Sequence, residues 1–185
     1  MPRLADDHAE KRRLANVLAT FALALSDRVG EAIRDVAGRG PQATAALIQI
    51  GFDPGLSIEA LRTLIGLSHS ATVRAIDGLV AEGLVRRERG LTGDSRVAAL
   101  TLTKAGEAEM QKALDARAGV TGAVIDALAP GELAALNAIL EKAVPAVVEF
   151  GTHQDVVCRL CDMGACPQDI CPVAVCVHED AGAPA

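Results

Sequence analysis

The stretch SIEALRTLIGLSHSATVRAIDGLVAEGLVRRERGLTGDSRVAALTLTKAG, from Ser57 to Gly106, decides the fold. Apolar residues recur three and four apart over Ile58, Leu61, Leu64 and Ile65, and again over Val73, Ile76, Leu79 and Val80. That spacing is one face of a helix. Ser57 and Ser68 stand where an N-cap hydroxyl is needed, and Gly66 and Gly83 where each helix must stop. Two short helices joined by three residues that include a glycine form a helix-turn-helix. The period then changes to that of short strands, over Leu84–Arg89 and Val97–Leu102, around the flexible turn Gly90–Ser95. A hairpin that follows a helix-turn-helix directly makes a winged helix, so the fold class expected is mainly α (α+β).

Outward from this centre the chain is helical. From about Asp6 to Val36, Leu14, Val17, Leu18, Phe21, Leu25, Val29 and Ile33 lie on one broad face, and Gly38 and Gly40 end the run. A second short apolar stretch, Ala43–Ile50, precedes the turn Asp53-Pro54-Gly55. Downstream, helices are expected over about Lys104–Leu128 and Gly131–Phe150, with Pro145 bending the second or ending it early.

Composition narrows the function classes. Half of the 185 residues are apolar, yet Phe21, Phe52 and Phe150 are the only aromatics. A core of Leu, Ile, Val and Ala favours close-packed helices, and single-strand recognition by stacking is disfavoured because it needs aromatic platforms. The net charge is −6, unevenly placed: Ser57–Lys104 carries seven Lys/Arg against five Asp/Glu, while 151–185 carries Arg159 against five acids. A mildly basic centre between acidic flanks is compatible with duplex binding. The N-terminus lacks the apolar stretch of a signal peptide, no apolar run reaches a membrane span, and an odd cysteine count disfavours a disulfide framework. A cytoplasmic protein is expected. No catalytic triad order, P-loop or H-E-x-x-H helix is present, so no enzyme is expected.

The order of elements and several local motifs resemble the MarR family of winged-helix transcription regulators over roughly residues 10–150. The carriers are SHSATVRAIDGLVAEGLVRRERG (68–90), the wing-tip DSR with Asp94 and Arg96, LTKAG at Leu102–Gly106, and ALAPGELAALNAIL (127–140). The resemblance implies a homodimer held by long first and last helices, and a double-stranded DNA operator as partner. It divides the chain into an N-terminal dimerisation helix (1–40), a winged helix-turn-helix domain (41–104), C-terminal dimerisation helices (105–150) and a tail (151–185). Segment 37–55 departs from the family pattern, so the small-molecule pocket that many relatives place near it is not carried over and no effector is indicated.

A recognition helix needs small and polar residues at its N-terminal end so that the backbone can approach base edges and phosphates. Ser68, His69, Ser70, Thr72 and Arg74 supply these, with Arg74 best suited to reach a guanine or a phosphate. An ordinary amphipathic helix with capping serines would share the pattern. The resemblance places Arg96 in the minor groove, with Asp94 orienting its guanidinium. Arg86, Arg87 and Arg89 read as a phosphate-facing strand or, nearly as well, as a solvated face.

All five cysteines lie in CRLCDMGACPQDICPVAVC, at Cys158, Cys161, Cys166, Cys171 and Cys176. The spacing is C-x2-C-x4-C-x4-C-x4-C, with Pro after Cys166 and Cys171. Short spacings combined with Cys-Pro favour a [4Fe–4S] cluster on Cys158, Cys161, Cys166 and Cys171, with Cys176 as substitute. Zn²⁺ is the alternative, with His153 and His178 as further donors, although only Cys158–Cys161 has the C-x2-C form that zinc knuckles usually show twice. A metal-free thiol switch needs only one or two cysteines. The expected function is a regulator, a repressor in the first instance, whose operator binding follows a redox-, oxygen- or iron-sensing tail. The rivals are a regulator with a structural or thiol-redox zinc tail, and an iron–sulfur electron-transfer or scaffold protein without specific DNA binding.

Overall fold

The computed structural model describes residues 2–89, 98–148, 154–166 and 169–173. Helix α1 spans Pro2–Ala37, α2 Pro41–Phe52, α3 Ile58–Ile65 and α4 His69–Ala81. Strands β1 (Val85–Arg89) and β2 (Ala98–Leu102) pair antiparallel, with Val85 opposite Leu102 and Arg89 opposite Ala98. Helices α5 (Lys104–Ile125), α6 (Pro130–Ala143) and the short α7 (Gln154–Val157) follow, and a single 3-10 turn covers Cys158–Leu160.

The helix-turn-helix forms for the local reasons its residues suggest. Ser57 Oγ accepts from the Ala60 amide at 3.0 Å and Ser68 Oγ from the Ala71 amide at 3.3 Å, each satisfying an orphan donor at a helix start. Gly66 closes α3 with φ +67°, a left-handed conformation that glycine adopts without penalty. At the exit of the hairpin, Thr103 makes three bonds at once. Its Oγ1 accepts from the Gly106 amide (3.1 Å) and donates to the Gly83 carbonyl (2.8 Å), while its amide donates to the Leu84 carbonyl (2.9 Å). Gly106 then passes so close to Leu84 that a Cβ there would overlap the Leu84 carbonyl oxygen. The LTKAG motif is therefore a seam between the end of the wing and the end of the recognition helix.

The head core draws on α2, α3, α4 and both strands, with Leu47, Ile50, Leu61, Ile76, Leu79 and Leu100 almost wholly enclosed. Each such side chain contributes about 1.5–3 kcal/mol of transfer free energy. Helix α2 is the most deeply buried helix, with every residue from Thr44 to Ile50 enclosed. It meets α5 at Gly51, where a Cβ would collide with Met110 Sδ. A second, smaller core of Ile33, Ala37 and Ala113 joins the end of α1 to α5.

The body beyond this contact is open. Leu14, Val17, Leu18 and Phe21 on α1 are exposed, as are Ile139 and Leu140 on α6, which buries no residue at all. Helix α6 ends at Ala143, two residues before Pro145, rather than continuing toward Phe150. No single helix among the described residues is long and apolar enough to cross a membrane.

Candidate nucleic-acid interface and thiol cluster

Recognition-helix candidates separate by burial. Ser68, His69, Ser70 and Arg74 are exposed at the N-terminal end of α4, and Ser70 and Arg74, four apart, share a face. Arg74 makes no ion pair or hydrogen bond with another described residue, so its guanidinium is available to a ligand. Thr72 corrects the expectation. It is 0% exposed, and its Oγ1 donates to the Ser68 carbonyl at 3.0 Å, so it seats the helix start from inside and presents nothing outward. Ser68 is exposed but already committed as a cap. His69 Nδ1 stands 3.5 Å from Glu59 Oε2 on α3. Glu59 is held below its ordinary value first by Arg62 and then by His69.

The arginine run on β1 does not form a single face, because successive side chains on a strand point to opposite sides. Arg86 is exposed, with Nε 3.8 Å from Glu88 Oε1. Arg87 turns back to Asp77 of α4 at 2.6 Å and ties the strand to the recognition helix. The expectation of a uniform phosphate-facing strand is thereby corrected for Arg87, whose charge is matched within the fold. The Arg89 side chain, Asp94 and Arg96 lie outside the described residues.

One electrostatic knot went unread in the sequence. Arg39, between α1 and α2, donates to Glu82 at the end of α4 (2.8 Å) and to Glu109 of α5 (2.9 Å). Lys112 and Arg39 together hold the Glu109 carboxyl below its ordinary value, Lys112 most strongly. A lone arginine between two glycines carries no periodic signal that would have revealed this.

The thiol segment packs onto the head instead of leading away from the last long helix. Val156 of α7 sits on Gly66, with its methyl carbons 3.0 and 3.1 Å from where a Cβ would be. The buried Gln49 of α2 donates from Nε2 to the Cys158 carbonyl at 3.4 Å. This amide is the one polar side chain within the apolar run ALIQI (46–50), a signal that could have pointed to a partner. Asp162 closes the next turn by accepting from the Gly164 amide at 3.0 Å.

The four described thiols perturb one another. Cys158 and Cys161 are hydrogen-bonded, as are Cys166 and Cys171, and Cys171 is buried. Accepting from Cys158 is the largest influence on Cys161 and pulls it down to about 6, against the opposing effect of burial. Arg117 of α5 adds to that pull and Asp162 opposes it. Cys158 is pushed above the ordinary thiol range by the same bond, then by burial and by the charge of its neighbours. Burial, followed by the bond to Cys171, raises Cys166. Four cysteine sulfurs within one short segment are a soft donor set suited to zinc or iron. Among the described residues, however, no three His, Cys, Asp or Glu side chains stand as a ready ligand arrangement, so binding would require the sulfurs to draw together. Cys176, His153 and His178 lie outside the described residues or their described side chains.

Residues 37–96 match the family model described as MarR family (MarR_2). Among solved structures, the fold is similar to that of YusO protein from Bacillus subtilis, at TM-score 0.64 and 20% identity over 76% of this chain and 98% of that one. It is also similar to RV1404 from Mycobacterium tuberculosis (TM-score 0.65, 23% identity, 75% and 94% of the two chains). A third similar structure is FabT from Streptococcus pneumoniae in complex with DNA (TM-score 0.58, 17% identity, 74% and 96%). No curated protein matches the chain.

Proposed function

We propose that the chain, whose residues 37–96 match the MarR family model, is a transcription regulator rather than an enzyme, a homodimeric, cytoplasmic repressor that reads a pseudo-palindromic operator. The observation that carries the proposal is the N-terminal end of α4, where Ser70 and Arg74 project together and Arg74 has no partner among the described residues. Entering a major groove, Arg74 would donate to guanine O6/N7 or to a phosphate, while the Ser68 and Ser70 hydroxyls fix the helix against the backbone. Arg86 adds a phosphate contact, and Asp94 and Arg96 are assigned to the minor groove by resemblance. The similar fold of FabT, whose structure is a complex with DNA, supports duplex DNA as the partner. The exposed stripe Leu14–Leu18–Phe21 on α1 and the exposed Ile139 on α6 support a second copy as partner. Two heads would then address half-sites about one helical turn apart.

The thiol segment is the input. Cys158, Cys161, Cys166 and Cys171 would hold a [4Fe–4S] cluster once drawn together, and its gain or loss would shift the population of DNA-competent heads. A bound cluster supplies redox and oxygen reactivity, while the chain supplies the thiolates, Arg117 to favour charge on Cys161, and a fixed seat on α2 and α3. The test is anaerobic purification followed by iron, sulfide and zinc analysis, with duplex selection from a randomised pool. Brown protein with comparable iron and sulfide, together with enrichment of a dyad-symmetric sequence, is the expected result. Colourless zinc protein would replace the cluster with the zinc reading. Absence of any enriched duplex would overturn the operator proposal.

A further inference from the structure

Leu160 packs against two separate clusters of buried residues. On one side it packs against the head core, and on the other against Ile33, Ala37 and Ala113, where α1 meets α5. The residues before it anchor the same short segment at two further points. Val156 rests on Gly66, the left-handed residue at the end of α3 from which the chain turns into α4. Gln49, only 4% exposed, holds the Cys158 carbonyl from the middle of α2. Arg159 folds back to the Val156 carbonyl and locks the turn. Five residues, Val156–Leu160, thus touch the turn that aims the recognition helix, the central head helix and the dimer-side body.

From this we propose that Leu160 is a positioning residue for DNA recognition, a wedge that sets the angle of α4 against the α1–α5 body from outside the winged helix itself. The inference rests on the reading of α4 as the helix that enters DNA. The physical reason is packing. An aliphatic side chain shared by two cores transmits their relative orientation, because close-packed surfaces have discrete fits and do not slide continuously. Truncation to Ala leaves both cores intact but removes the atoms they share. Methionine restores comparable volume in a flexible shape and should restore much of the fit.

The test compares wild type, Leu160→Ala and Leu160→Met as full-length reduced protein, using a duplex enriched by selection and a scrambled duplex of equal length. Leu160→Ala is expected to weaken the enriched duplex by about tenfold, the upper part of the range for coupling through a packed network. Binding to the scrambled duplex should stay within about twofold, because its phosphate contacts do not depend on head angle. Leu160→Met should recover most of the loss. Hydrogen exchange on DNA-free protein provides the independent arm, with faster exchange expected in α4 and at Ile33–Ala37 for Leu160→Ala alone. Unchanged operator affinity with a cooperative melt, or loss not rescued by Met, would overturn the wedge. If wild type enriches no duplex, the reading of α4 fails, and the exchange arm still decides the wedge: unaltered α4 exchange in Leu160→Ala refutes it. Should Leu160→Ala not fold, Val156→Ala carries the same comparison, since removing its methyls from Gly66 must also reduce discrimination.

Discussion

Two glycine-to-alanine substitutions should move stability in opposite directions for one geometric reason. At Gly106, a methyl would overlap the Leu84 carbonyl oxygen and lie 3.0 Å from its carbon. That carbonyl has little room to retreat, because it accepts from the Thr103 amide at 2.9 Å and Thr103 Oγ1 is bonded to the Gly83 carbonyl. Helix α5 must therefore move, and overpacking of this kind costs about 1–3 kcal/mol. Alanine regains about 0.8–1 kcal/mol of helix propensity, leaving a net loss of up to about 2 kcal/mol. For a chain of this size each kcal/mol corresponds to about 2–4 °C in Tm. At Gly78, within α4, a methyl meets nothing within 4 Å. There the propensity gain is unopposed, and Gly78→Ala should stabilise by about 0.5–1 kcal/mol. Urea unfolding at pH 7 and fixed protein concentration measures both. If Gly106→Ala proved neutral or stabilising, matching Gly78→Ala, the seam between Leu84 and α5 would not exist as described.

Three further outcomes follow from the same contacts. Arg74→Ala should weaken the selected duplex by about 1–3 kcal/mol per contact in an anisotropy titration while leaving the melt unchanged. Thr72→Val should do the reverse, losing about 0.5–1.5 kcal/mol of stability with its bond to Ser68 while keeping operator affinity in the folded protein. For Glu109, a carboxyl whose folded value is depressed contributes stability that is fully present above its unfolded value, near 4.3, and lost as pH falls through the folded value. Glu109→Gln should therefore lower Tm at pH 7, with the difference from wild type shrinking as the pH falls through the acid range below about 4.

The helix-turn-helix and the strands were legible in sequence because their signals are local. Capping serines, left-handed glycines and a change of apolar period each act within a few residues, as Ser57, Gly66 and Ser68 do. Thr72 misled for the opposite reason. Its polarity suggested an outward role, but position four after Ser68 turns the side chain inward, where its hydroxyl bonds the preceding turn. The arginines of β1 were legible as charge but not as direction, which depends on strand alternation and on the distant Asp77. The cysteines were legible as a group through spacing alone. Their seat was not, because Gln49 meets Cys158 and Gly66 meets Val156 only once residues ninety or more positions apart come together in the fold.

Most directly at issue is whether the state of the cysteine segment is felt at the DNA. The decisive measurement is the affinity of one selected duplex for anaerobically iron-reconstituted protein and for the same preparation after chelation under reducing conditions, with Cys158→Ser/Cys161→Ser in parallel. A segment seated on α3 and wedged against the body should make the two wild-type affinities differ by at least about fivefold, the lower end of coupling between linked sites. The double variant should show one affinity under both conditions. Equal wild-type affinities, with iron and sulfide demonstrably bound in one sample and absent from the other, would contradict the sensing role and leave the thiols a purely structural one.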